Sequence, residues 1–137
     1  VNKKYTTVYD ENSIDILNKA YDDFTIIETN STKTIAGYEC KKNWVIFTAV
    51  SMPNFELYYT SDISIKEPNW SLPFSGVDGV LMEYEMKRNG VIMKLTATSV
   101  TKTDVEDDVF SVPEEYKNVT IEFMEEELDK LFETFNY

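Results

Sequence analysis

The chain contains no histidine among its 137 residues. The commonest general base is therefore missing, and with it the Ser-His-Asp and Cys-His arrangements and the usual zinc ligands. Cysteine occurs once, at Cys40. No internal disulfide can form, and Cys40 reads as a small buried hydrophobe. A glycine-rich phosphate loop is also lacking, since Gly76-Val77-Asp78-Gly79 has neither the spacing nor the following lysine. No run of about 18 apolar residues exists, hence no transmembrane segment. The chain opens Val1-Asn2-Lys3-Lys4, without methionine and without a basic-then-apolar leader, which predicts that a segment was removed upstream. Positive charge is scarce: 13 Lys and Arg stand against 25 Asp and Glu, a net charge of −12. Such a surface repels phosphate backbones and anionic headgroups, so neither nucleic acid nor an acidic membrane is an expected partner.

What is present describes a folded chain. An apolar fraction of 42% with 14% aromatic residues excludes disorder despite the charge. The length suits a single domain, 1-137, with one core. The clearest local statement runs from Leu81 to Thr101, where Asn89-Gly90 is a type I′ hairpin turn. That loop places Met86 opposite Met93, Tyr84 opposite Leu95 and Met82 opposite Ala97 on an apolar face. Glu85 then meets Lys94, and Glu83 meets Thr96, on a face suited to solvent.

Around this hairpin the pattern predicts a short strand over Tyr5 to Tyr9 and a turn at Asp10-Glu11-Asn12-Ser13. Over Ser13 to Tyr21, Ile14, Ile16 and Leu17 fit either a strand or one amphipathic turn; strands are preferred, with Asn18-Lys19 as a hairpin loop. Phe24 to Thr29 is a strand ended by Asn30-Ser31-Thr32. Gly37 bends the chain into a long strand reaching Val50, and Phe55 to Thr60 returns. A loop over Ser51 to Asn54 places Ile46 against Tyr59, Val50 against Phe55, and Phe47 against Tyr58 on the opposite side. This second hairpin is then apolar on both faces, which requires a cover on each. Lys66 to Gly79 is loop chemistry carrying Trp70 and Phe74. Such a loop serves as a lid, or its two aromatics plug the end of the core; the plug is preferred. Val109 to Val112 resumes a strand that Pro113 stops. From Thr120, an N-cap, Met124, Leu128, Leu131, Phe132 and Phe135 recur with helical spacing and predict an amphipathic helix lying on the sheet. The fold class is mainly β (α+β), a curved antiparallel sheet or half-barrel with this C-terminal helix packed on it.

Few groups carry chemistry. Asp104, Glu106, Asp107 and Asp108 lack the glycine and spaced glutamate of an EF-hand loop and read as a solvated turn. Carboxylate pairs arise by accident among 25 acids, and none lies in an apolar stretch that would raise its pKa. Lys33, Lys41, Lys42 and Lys117 read as ordinary surface lysines. Met82, Met86 and Met93 form core, or an adaptable apolar wall around aliphatic ligands.

Five segments carry a family resemblance: Thr32 to Lys41, Tyr58 to Ile63, Gly79 to Tyr84, Thr96 to Val100, and Phe110 to Lys117. In that order they resemble an uncharacterised family of exported proteins from Gram-negative bacteria whose fold is like that of the periplasmic lipoprotein carriers of LolA and LolB type. The resemblance implies a half-barrel wrapped over helices, with an apolar concavity that holds acyl chains in the carriers. With the second hairpin's two apolar faces and the aromatic loop near it, this leads to the expectation of a non-enzymatic exported protein of the periplasm or cell envelope that binds a hydrophobic ligand, either a lipid or an acylated protein, in the concavity. Phe47, Tyr58, Trp70, Phe74, Met82, Tyr84 and Met93 are the candidate pocket residues, with no cofactor and no metal. The alternative is a protein-interaction or envelope-sensor domain without a small-molecule ligand.

Overall fold

A computed structural model describes residues 2–135. The fold is mainly β. Five strands form an antiparallel meander in the order β2 (Phe24–Ile35), β3 (Tyr38–Phe47), β4 (Phe55–Thr60), β5 (Val80–Arg88) and β6 (Val91–Thr96). The sheet is not closed into a barrel, and β2 and β6 are its edges. A separate parallel pair joins β1 (Tyr5–Thr6) to β7 (Lys117–Asn118), just before the C-terminal helix α2 (Ile121–Glu133).

The β5–β6 hairpin has the expected register. Asn89 and Gly90 take φ of 49° and 77°, the left-handed values that a type I′ turn demands. Met86 pairs with Met93, Tyr84 with Leu95, Glu85 with Lys94, and Glu83 with Thr96. Opposite Met82, the Ala97 N–H donates to the Met82 carbonyl at 2.8 Å. Met82 nevertheless leaves the Met86 face. Across β4, Tyr58 pairs with Glu83 but Tyr59 pairs with Leu81, so Met82 is the extra residue of a β-bulge. The bulge turns Met82 toward Ile35, Cys40 and Tyr58 on the other side of the sheet.

Three local expectations are corrected. Glu11–Lys19 is a helix, α1, where strands were expected. The Asp10 carboxylate caps it by accepting from the Ser13 N–H at 2.8 Å, and the Lys19–Asp15 ion pair closes its last turn. Asn30-Ser31-Thr32 does not end β2, because an irregularity between Glu28 and Thr32 absorbs these residues within the strand. Thr29 Oγ1 bridges the gap, donating to the Lys42 carbonyl and accepting from the Ser31 N–H. Val109 to Val112 is not a strand, since Asp107–Phe110 forms a 3₁₀ turn.

The β3–β4 register also differs. Val45, not Val50, faces Phe55, and Lys42 faces Tyr58. The strand stops at Phe47 because Asn54 Oδ1 takes the Phe47 N–H at 3.0 Å, where a ladder carbonyl would otherwise stand. An odd shift exchanges faces along a strand. Phe47 and Tyr58, expected side by side, therefore point to opposite sides of the sheet.

Both sides hold an apolar cluster. One contains Val45, Phe47, Phe55 and Leu57, covered by Phe74 and Val77 of the loop between β4 and β5, with Tyr21 from beyond α1 packed against it. The other contains Ile35, Cys40, Tyr58 and Met82. Helix α2 has Thr120 as its N-cap, the hydroxyl accepting from the Phe123 N–H at 3.2 Å. It is tied to the sheet at the β5–β6 turn, where Arg88 meets Glu125 at 2.8 Å and Asn89 meets Asp129 at 2.6 Å.

Candidate functional site

The seven residues expected to line one concavity are dispersed. Phe47, Phe74 and Tyr84 meet in the first cluster, a stack of tilted and edge-on rings about Phe74, which is fully buried. Tyr58 and Met82 belong to the second cluster. Met93 is half-buried on the edge strand. Trp70 is 56% exposed. The two aromatics of the long loop thus divide the roles expected of them jointly: Phe74 plugs the core, and Trp70 stands on the surface.

Between its strand ends the loop 61–79 encloses an open groove of about 680 Å³. Its construction follows from the residues beneath it. Phe74 and Val77 bury into the sheet and hold the loop down. Three turns shape it, closed by the N–H groups of Trp70, Leu72 and Val77 on the carbonyls of Glu67, Asn69 and Phe74. Glu67 precedes Pro68 with φ of 47°, a conformation a non-glycine residue adopts at a cost. Asn69, 3% exposed, clamps the two arms: its Nδ2 donates to the Val77 carbonyl at 3.0 Å and to the Gly79 carbonyl at 2.8 Å. Ser61 Oγ donates to the Asp78 carbonyl at 3.1 Å. A Cβ at Gly79 would lie 2.7 Å from both the Thr60 carbonyl oxygen and the Tyr59 ring, so only glycine lets the arms close. The groove presents Ser61, Ser64 and Ser75 hydroxyls, the carboxylates of Glu67 and Asp78, and the Lys66 ammonium. Trp70 forms a ridge between this groove and a hollow of about 340 Å³ that faces α1.

The side of the sheet bearing Tyr58 carries a polar network that includes Glu83 and Thr96, the pair expected to face solvent. Lys33 Nζ pairs with Glu83 at 3.0 Å and lies 4.4 Å from the Tyr58 ring centroid. Lys42 pairs with Glu56 at 3.1 Å and lies 4.5 Å from the Trp44 ring centroid. The Tyr58 hydroxyl donates to Glu56 at 3.0 Å, and Thr96 Oγ1 donates to Glu83 at 3.1 Å. Glu83 is buried, contrary to expectation. Burial pushes its pKa up, but the Lys33 and Thr96 hydrogen bonds outweigh this and hold it below its ordinary value. The Lys42 ammonium, with the Tyr58 hydroxyl, likewise holds Glu56 down. Lys33 and Lys42 are therefore structural lysines, committed to the sheet.

Other features remain at the surface. The acidic stretch around Asp107 is exposed, and among the described residues no three His, Cys, Asp or Glu side chains gather as metal ligands would. Helix α2 buries none of its residues, and Leu131 and Phe135 remain largely exposed. Among the described residues, no helix is long and apolar enough to cross a membrane.

An open five-stranded meander with a clamped, indole-edged loop defines a small antiparallel sheet domain. The chain belongs to the family described as N-glycanase peptide, N-terminal domain, whose model matches residues 2–123. No curated protein and no solved structure shows significant similarity to it. The family match overturns the resemblance to the exported family with the lipoprotein-carrier fold. All five segments that carried it fall within the matched span. The carrier-type lipid pocket goes with it, since Phe47, Phe74 and Tyr84 are one filled cluster and Tyr58 and Met82 lie on the other side of the sheet. Sequence reasoning missed Asn69, the central strut of the groove. Its only outward mark was its position between Pro68 and Trp70 in a loop too long to be a plain turn.

Proposed function

We propose that this domain is a non-catalytic recognition domain, an accessory part of an N-glycanase-type protein that engages a glycoprotein partner through the groove of loop 61–79. One observation carries the reading: the groove is preorganised by buried struts while its most prominent side chain, Trp70, is left exposed. A large aromatic on a rigid support is the residue type that dominates recognition energetics, because little conformational entropy is lost when it is covered. The family description supports the accessory role, since it names an N-terminal domain of an N-glycanase.

The test is surface plasmon resonance of the domain against an intact N-glycosylated protein, which offers both polypeptide and glycan. Wild type is expected to bind, and Trp70→Ala to bind at least about tenfold more weakly. Equal binding by the two forms, or none by either, overturns the reading.

A further inference from the structure

We infer that the groove of loop 61–79 takes a carbohydrate, specifically a neutral or amino-bearing oligosaccharide; this rests on the recognition reading above and names the ligand class of the same site.

The argument starts from the lining. A pyranose offers two surfaces: a patch of C–H bonds on a ring face, and a rim of hydroxyls that both donate and accept. The first needs a flat aromatic, and the second needs short polar groups with both capacities. Trp70, 56% exposed at the rim of the groove, supplies the flat surface. Ser64 and Ser75 supply hydroxyls, and Ser61, whose proton goes to the Asp78 carbonyl, supplies an acceptor. Asn69, 3% exposed, fixes the shape of this lining, because its Nδ2 is committed to the Val77 and Gly79 carbonyls. The groove is thereby preorganised, as a weakly held, hydrated ligand requires.

Charge narrows the class. Glu67 and Asp78 outnumber Lys66 among the groove's ionisable groups, and the whole chain carries −12. Uronate, sulfated or sialylated chains are repelled, whereas uncharged or amino-bearing sugars are not. Lipid is a poor match, because the apolar lining is limited to Ile63, Ile65, Pro68, Val77 and the indole, interrupted by charged and hydroxyl groups. At about 680 Å³ the groove has room for an oligosaccharide rather than a single sugar.

The experiment is a tryptophan-fluorescence titration with free cello-, chito- and manno-oligosaccharides, and with an oligogalacturonate as the anionic control. Trp44→Phe leaves Trp70 as the single reporter. At least one neutral series is expected to shift Trp70 emission saturably, with the oligogalacturonate silent. By isothermal calorimetry, Trp70→Ala should weaken that binding about tenfold or more, and Ser75→Ala should weaken it less. Both side chains are exposed, so both variants keep the fold. Silence from every neutral sugar, a preference for the anionic one, or binding unchanged in Trp70→Ala overturns the carbohydrate assignment. If free sugars are silent while the glycoprotein still binds through Trp70, the ligand class alone is wrong. If neither binds, the recognition reading fails as well.

Discussion

Lys33 reaches across the sheet to Glu83, Nζ to Oε2 at 3.0 Å, with the Tyr58 ring beneath the ammonium. Two strands, β3 and β4, lie between the strands that carry the pair. The lysine stem thereby covers Tyr58 and shields Glu83 from water, so a contact between residues 50 apart organises this side of the sheet.

Lys33→Met removes the ion-pair partner and leaves buried Glu83 with the Thr96 hydrogen bond and the weaker influence of the Lys94 charge. The Glu83 pKa in the native protein lies below its ordinary 4.5. A carboxylate with a lowered folded pKa contributes stability above its unfolded value and loses it as pH falls through the folded value. In Lys33→Met the desolvation that the ion pair had outweighed prevails, and Glu83 takes up its proton at higher pH. An NMR titration of the Glu83 side-chain carboxyl reads this directly; an unmoved midpoint would show that the pair does not set the ionisation.

Gly79→Ala forces a methyl group to 2.7 Å from a backbone carbonyl and a ring. Either the strand shifts or the arm of the loop does, at a cost of about 1–3 kcal/mol in urea denaturation. Because Gly79 also accepts from Asn69, hydrogen exchange in loop 61–79 should accelerate. A variant as stable and as protected as wild type would contradict the close approach.

Phe74 and Trp70 are four residues apart in one loop, yet their truncation costs differ. Phe74→Ala empties the centre of an aromatic cluster and should cost about 3–5 kcal/mol. Trp70→Ala should stay within about 0.5 kcal/mol, because the indole is largely solvated. Comparable losses in the two variants would place Trp70 in the core.

Tyr9 is pushed up to about 12, mainly by burial and further by its hydrogen bond to Glu125, with Arg88 pulling in the other direction. A phenol whose folded pKa is raised keeps its stabilising contribution below the unfolded value near 10 and loses it as pH rises toward 12. In a spectrophotometric titration of the tyrosinate band, Tyr9→Phe should delete a late-titrating component. An unchanged profile would remove Tyr9 from that assignment.

Some of the fold was legible because its determinants are local. Asn89-Gly90 accepts positive φ, and the alternation on either side names the partners, so the β5–β6 register follows from about a dozen residues. Thr120 and the spacing of Met124, Leu128 and Leu131 define α2 in the same way. Helix α1 was also within reach: Asp10 and Glu11 are start features, and Ile14 and Leu17 share a helical face, but a run of isoleucine and leucine that short fits either period.

The site was not legible, because it depends on contacts between distant parts of the chain. Whether Val45 or Val50 meets Phe55 turns on one Asn54 side chain replacing a backbone acceptor, and the outcome reverses the faces of Phe47 and Tyr58. A single bulged residue sends Met82 away from Met86. Composition and pattern by themselves determined an antiparallel, mainly β domain with a C-terminal amphipathic helix, since alternation, turn chemistry and helix capping act over a few residues. Only the tertiary structure decided that Phe74 is core, Trp70 is surface and Asn69 joins the arms of a groove, because burial and hydrogen-bond partners are properties of the assembled sheet and of no single stretch within it.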